Sequence, residues 1–578
     1  MIIRPQLAIL ILLVIAACSP AGNDAAPETV AGPAPAEPAI IADTVYTNGK
    51  IYTVDESQPW AEAVAIKDGK FLVVGSNTDV EAVIGDATEV RDLDGQFAMP
   101  GLGDPHLHVG TMMPKRVNCA LPGTFYEPTE QDILDALEKC IARYPKGEQW
   151  FIGQGHSPTV MSPEALSRET LDRLIPDKPA WIEDESTHNG WFNTKAMEAA
   201  GITRDFQDNS EAYFSRTEDG DLAGVAYEGA MNPFIAALPP FDTEYLKNSY
   251  LSLLEEALSK GITSVGDAYT FEPDLQAWQE LKQENKLKQH VQLYFRGNFG
   301  TSELLPVSTL NKWWNDYDLP GRKGIKLSMG GAIESVTEAL VDGYADPAND
   351  PKPMIDAETF ANYVAELDAT GFQAMTHAIG DASVRATIDG YEKTIVKNSG
   401  NKLRHHIDHA SLVHSDDFRR LVDLDVSVSI WPPLNAPVAY NTQGIKPFLK
   451  PETWERMYDN RTRWDAGIRM HNHSDAPAAV LWPWFGMEAT ITRGFPGKPE
   501  IEKMGPQHAL TLAETIKAYT LNVAWVMQND EITGSIEEGK WADMIILNHN
   551  LFEIPATDIH KTEVQKTLFK GEVVYEAK

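Results

Sequence analysis

Two kinds of hydrophobic spacing divide the chain. Near both ends apolar positions alternate with polar ones in short runs, at 43–47, 50–54, 70–75 and 89–93 and again at 542–547 and 564–575. That is the period of strands buried on one face. Asn48-Gly49 and Asp68-Gly69 stand between the first runs as hairpin turn signals, and Lys570-Gly571 interrupts the last. Neither terminal set is large enough to hold a sheet alone. The two are therefore expected to join into one β-sandwich domain, with an N-terminal part at 42–98 and a C-terminal part at 531–578.

Between them, over 99–530, apolar strand-like runs alternate with amphipathic helical stretches. This is the pattern of an α/β fold of the (β/α)8 TIM-like barrel kind. Eight runs read as its strands, 97–108, 262–267, 291–296, 324–328, 372–377, 405–409, 426–431 and 468–475, each with polar residues at its C-terminal end. About 150 residues separate the first two, far more than one βα unit takes, so 110–260 is expected to hold a large insert. A ninth run of the same kind, 181–188, lies in that insert, and one of the nine must fall outside the ring.

The first residues change the picture of where the chain works. Arg4 precedes an apolar run at 7–17 that is too short to span a bilayer. Its end, Ile15-Ala16-Ala17-Cys18, resembles a bacterial lipoprotein signal; the alternative is an ordinary secretory peptide. On the first reading 1–17 are removed, Cys18 carries the lipid, and 18–41, rich in Ala, Pro, Gly and Glu, form a flexible tether. The protein would then sit in the bacterial cell envelope, with the lipid at Cys18 its sole membrane contact. Ser19 favours the outer membrane, facing the periplasm. Cys119 and Cys140 lie 21 positions apart and can pair in such an oxidising compartment. Neither belongs to a CxxC. With 578 residues at net charge −35, a globular composition excludes a disordered polymer, and repulsion of phosphates argues against general nucleic-acid binding.

Candidate chemistry gathers at the predicted strand ends. In Asp104-Pro105-His106-Leu107-His108, a strand places both imidazoles on one face, where they can share a divalent cation. His377, His409 and Asp475 end later strands, at spacings of about one and two βα units. Lys326 sits inside the apolar run Gly324-Ile325-Lys326-Leu327, costly for a lysine unless it is paired or modified. Carboxylated by carbon dioxide, it would become an anionic bridge between two metals. Each residue alone has an ordinary structural explanation. Together, at the face where such barrels carry their sites, they predict a metal centre.

With these segments the chain resembles the metal-dependent amidohydrolase superfamily, closest to its YtcJ-like branch, amidohydrolase family 3. The resemblance rests on 99–108, Ile325-Lys326-Leu327, His377-Ala378-Ile379-Gly380-Asp381, Arg404-His405-His406-Ile407-Asp408-His409, Ser474-Asp475-Ala476-Pro477 and 534–544. It implies one or two zinc-like ions, the first on His106 and His108, the second on His377 and His409, with carboxylated Lys326 between them. Asp475 would bind the first ion and act as the base. Metal charge lowers the pKa of bound water to about 7. The hydroxide would attack a carbonyl carbon, and Asp475 would take its proton and return it to the leaving nitrogen.

The expected function is hydrolysis of a non-peptide C–N bond in a small molecule: an amide, an N-acyl amine or a cyclic amide. A lactone, ester or phosphotriester hydrolase with the same centre is the runner-up, and a non-catalytic ligand-binding lipoprotein is a third reading. Oligomeric state stays open. Where relatives show an Asp-Gly pair after the lysine, this chain has Ser328-Met329-Gly330-Gly331; before the aspartate it has His471-Asn472-His473, which admits His473 as a competing ligand. His188 and Trp191 lie in a segment resembling one that closes over the site, and Trp431, Trp482 and Trp484 are candidates for an apolar substrate wall.

Overall fold

A computed structural model describes residues 40–110, 118–123, 125, 128–145, 147–157, 160–209, 212–298 and 301–578. The expected signal peptide, Cys18 and the tether up to residue 39 lie outside the described residues.

Eight strands form one parallel sheet in chain order: β1 (Leu102–Leu107), β2 (Ile262–Thr270), β3 (His290–Arg296), β4 (Lys323–Ser328), β5 (Gln373–Ala378), β6 (His406–His409), β7 (Ser427–Ser429) and β8 (Met470–His471). The sheet curls so that the segment after β8 bonds to the end of β1: Asp475 N–H donates to His106 O at 3.1 Å and His108 N–H to Ala476 O at 2.8 Å. Burial on both faces explains why these strands read as near-continuous apolar runs; every residue of β2 is buried.

Three sequence boundaries move. The run 97–108 is two strands that part at Gly101, where any Cβ would collide with Thr263. Phe97–Pro100 instead pairs antiparallel with Met544–Leu547 and parallel with Lys50–Tyr52. Helix α1 (Thr243–Ser259), capped by Asp242 accepting from Tyr245 N–H at 2.8 Å, buries Leu246, Tyr250, Leu253, Leu254 and Ala257 at helical spacing. Those side chains share one core cluster with residues of the parallel sheet, so the insert ends before α1 and not at 260. The ninth run becomes Ala180–Asp184 in a separate five-stranded sheet with Phe151–His156, Asn189–Phe192, Ala212–Arg216 and Leu222–Glu228. It lies outside the ring.

Strands from the two ends of the chain share a six-stranded sheet, and a four-stranded sheet comes from residues 44–92. Tyr46, Val64, Ile66 and Phe71 of the smaller sheet bury in one cluster with Ile51, Ala98, Met544, Ile546 and Leu568 of the larger.

In the insert Cys119 and Cys140 are joined, with Cα atoms 5.6 Å apart. The bond closes a loop of 21 residues, whose restricted unfolded state is worth about 3 kcal/mol. Cys140→Ser should cost about that much in urea unfolding of the insert, and reducing agent should lower wild type to the same level without further effect on the variant.

Candidate metal centre

The C-terminal ends of the parallel strands bring the predicted residues together. His106 is fully buried, with Nε2 3.2 Å from Asp475 Oδ1 and Nδ1 2.8 Å from Asp408 Oδ2. His108 Nε2 lies 2.8 Å from the same Asp475 oxygen. Lys326 Nζ stands 2.9 Å from His106 Nε2 and 3.2 Å from its Nδ1. The rings of His377 and His409 are 4.3 Å apart, and that of His409 is 5.1 Å from His106. His409 (φ 71°) and Asp475 (φ 63°) hold left-handed backbone conformations that turn each side chain inward as its strand ends.

Charge and burial work against each other here. Burial pushes the Lys326 ammonium down to about 8, against the pull of Asp408 and Asp475, so unprotonated amine is accessible near neutral pH. Burial, helped by Lys326, drives His377 down to about 3. Asp475 stays well below the carboxylate range although burial opposes it, because His106 and His108 face it.

These donors fit a divalent cation. Ligand atoms of His106, His108 and Asp475 lie within 4.8 Å of one another. His409 Nδ1 is buried with no hydrogen-bond partner among the described residues. His377 Nε2 lies 2.9 Å from Gly331 O, and donation to that carbonyl leaves Nδ1 for a ligand.

Above them opens a cavity of about 840 Å³ including its mouth. His108, Lys326, His377, His409 and Asp475 form its floor; Phe125, Ile379, Trp431, Leu434 and Tyr440 give an apolar wall; Glu185, Thr187, His188 and Glu228 come from the insert. His188 Nδ1 lies 3.0 Å from both Glu228 oxygens, and Glu228 lifts the imidazole to about 9 although burial opposes it.

Trp191 and Trp482 are corrected. Trp191 pairs inside the insert sheet, donates to Ser167 O at 3.0 Å and packs in the insert core; it does not line the cavity. Trp482 is 38% exposed and packs on Phe485. Trp484 is a buried core residue. Of the tryptophans considered, Trp431 alone reaches the cavity, 4.6 Å from the His409 ring. His473 is fully buried between Trp431 and His106, with neither ring nitrogen hydrogen-bonded among the described residues.

A carboxylate from further along the chain lies against the loop that follows Lys326. Glu338 lies against Gly330, where a Cβ would strike its carboxylate, and accepts from Ala339 N–H at 3.1 Å and Ile379 N–H at 3.3 Å. Burial raises its carboxyl to about 8. Glu338 thus ties the loop after β4 to the residues that follow His377. Gly330→Ala should displace it, lowering stability by about 1–3 kcal/mol in chemical unfolding. Glu338 and Glu228 gave no sequence signal, since Glu228 ends a strand of the insert and Glu338 lies in the long irregular stretch after β4. Asp408 did: it alternates with His406 on a strand face, as His106 does with His108.

The sequence profile of the amidohydrolase family matches residues 89–575. A Bacillus subtilis protein described as an amidohydrolase, YtcJ, is 25% identical over 544 residues, covering 92% of this chain and 99% of its own. The N-substituted formamide deformylase of Arthrobacter pascens is 24% identical over 555 residues, covering 92% and 98%. An uncharacterized metal-dependent hydrolase of Pyrococcus horikoshii, of known structure, aligns at a TM-score of 0.69 and 22% identity over 89% of this chain and 99% of its own. That last likeness concerns the fold alone.

Proposed function

The chain belongs to the amidohydrolase family, and from that premise we propose that it is a metal-dependent hydrolase of a non-peptide C–N bond in a small molecule: an amide, N-acyl amine or cyclic amide. The observation that carries this reading is the gathering of His106, His108, Lys326, His377, His409 and Asp475 around one end of the sheet, five of them facing one cavity. Similarity to a deformylase of N-substituted formamides agrees with the bond type.

His106, His108 and Asp475 would hold a first zinc-like ion, His377 and His409 a second, with carboxylated Lys326 between them. When bound, such ions acidify water and polarise a carbonyl oxygen. The chain supplies the rest. Asp475, fixed by His106 and His108, accepts the proton of the attacking water and returns it to the leaving nitrogen. Trp431 and its apolar neighbours exclude water around the substrate, and His188, oriented by Glu228, contacts its polar end. We place the enzyme in the bacterial envelope, lipid-anchored at Cys18; mass spectrometry of the native N-terminus tests this, and an unmodified terminus away from Cys18 overturns it.

A screen of N-acyl amino acids, cyclic amides, lactones and esters against the metal-loaded protein tests the reaction. Amide turnover is expected. Turnover confined to esters or lactones would move the assignment to the runner-up. A metal-free protein that gains no activity with zinc would overturn the enzyme reading.

A further inference from the structure

Beneath the cavity floor a chain of polar side chains runs into the sheet interior, a region ordinarily filled by branched apolar residues. Asp408 stands at its centre, fully buried. One of its oxygens, Oδ2, is 2.8 Å from His106 Nδ1. The other, Oδ1, is 3.0 Å from His471 Nε2, and His471 Nδ1 is 2.7 Å from Ser427 Oγ. His406 Nε2 approaches the same oxygen at 3.9 Å.

A carboxylate so placed is tolerable only if donors surround it. Oδ1 accepts from His471, whereas Oδ2 meets His106 Nδ1 as a close ion-pair contact and not as an aligned hydrogen bond; its negative charge favours the His106 proton on Nδ1, where Lys326 Nζ also stands at 3.2 Å. The lone pair of a neutral His106 is then confined to Nε2, on the side of Asp475. Ser427, His471 and Asp408 form a continuous hydrogen-bonded sequence, and the other oxygen of Asp408 ends it in close contact with His106.

We propose that Asp408 is a positioning residue that locks His106 in its Nδ1–H form, makes Nε2 the ligand atom, and strengthens that ligand with its negative charge, while His471 and Ser427 hold the carboxylate in place. This rests on the reading of His106 as a metal ligand. His406, Asp408 and His471 also lie close enough to hold an ion of their own. Hydrogen bonds from Ser427 through His471 hold Asp408 Oδ1, while His406 Nε2 and Asp408 Oδ2 make none among the described residues, so an interior ion is the alternative that the test separates.

The test compares zinc affinity, by competition with a chromophoric chelator, with ions per chain and the visible spectrum of the cobalt-loaded protein. In Asp408→Asn the shape is kept, but the amide can donate to Nδ1 and push the proton to Nε2. Zinc affinity should fall about 10–100-fold and the cobalt bands should shift. His471→Gln can still donate to Asp408 and should bind nearly as wild type, whereas His471→Leu should be several-fold weaker. Should Asp408→Asn fail to fold, the contrast between Gln and Leu at 471 decides. Wild-type affinity and spectrum in Asp408→Asn, or in both 471 variants, overturn the proposal. So does an additional ion that Asp408→Asn and His471→Leu lose but His106→Ala keeps, since that marks an interior metal site. Wild type that binds no metal at all would instead strike at the centre itself.

Discussion

His106→Ala and His377→Ala should each reduce kcat/KM by at least about 10³, or about 4 kcal/mol of transition-state stabilisation, and each should bind less zinc. The two differ in everything else. His106 lies between Lys326, Asp475 and Asp408, so its removal leaves buried charges with one partner fewer. Breaking such a pair costs about 3–5 kcal/mol, and unfolding in urea should show a loss of that order. His377 faces the cavity and its described polar contact is Gly331 O, so its loss should cost far less stability. Metal analysis, steady-state kinetics and urea unfolding on both variants separate a lost ligand from a damaged fold. If both variants keep full metal content and turnover, the centre is misassigned.

The strand ends were legible because a parallel barrel buries its strands on both faces, and polar residues interrupt the apolar runs where the site begins. All eight strand candidates fall on strands of the sheet or their ends, in order. Boundaries were harder. Nothing in spacing alone shows that Gly101 marks a change of sheet, since that follows from its contact with Thr263. The chain's periodicity does not say which core the amphipathic face of helix α1 meets; Tyr250 and Leu253 pack in the core shared with the parallel sheet. The segment holding His188 and Trp191 resembles one that closes over the site, but His188 lies in the bend before the strand Asn189–Phe192 and reaches the cavity, while Trp191 within that strand packs into the insert core. Glu338 lay beyond sequence reasoning altogether. It approaches Gly330 through a loop whose path depends on backbone conformation, not on pattern.

The sharpest separation of binding from chemistry lies at Asp475. Its backbone is left-handed, φ 63°, a conformation that Asn adopts more readily than most residues, and the two side chains have the same shape. Asp475→Asn should therefore keep the loop, its hydrogen bond to His106 O and most of the bound metal. It cannot take a proton from water or return one to nitrogen. Loss of general acid–base catalysis alone is worth about 10²–10⁴ in kcat, and the loss here should fall in or above that range while KM moves little. The partial drop in metal affinity is controlled by assaying at saturating zinc, and urea unfolding should stay close to wild type. Normal turnover by a zinc-saturated Asn variant would mean that another group carries the proton.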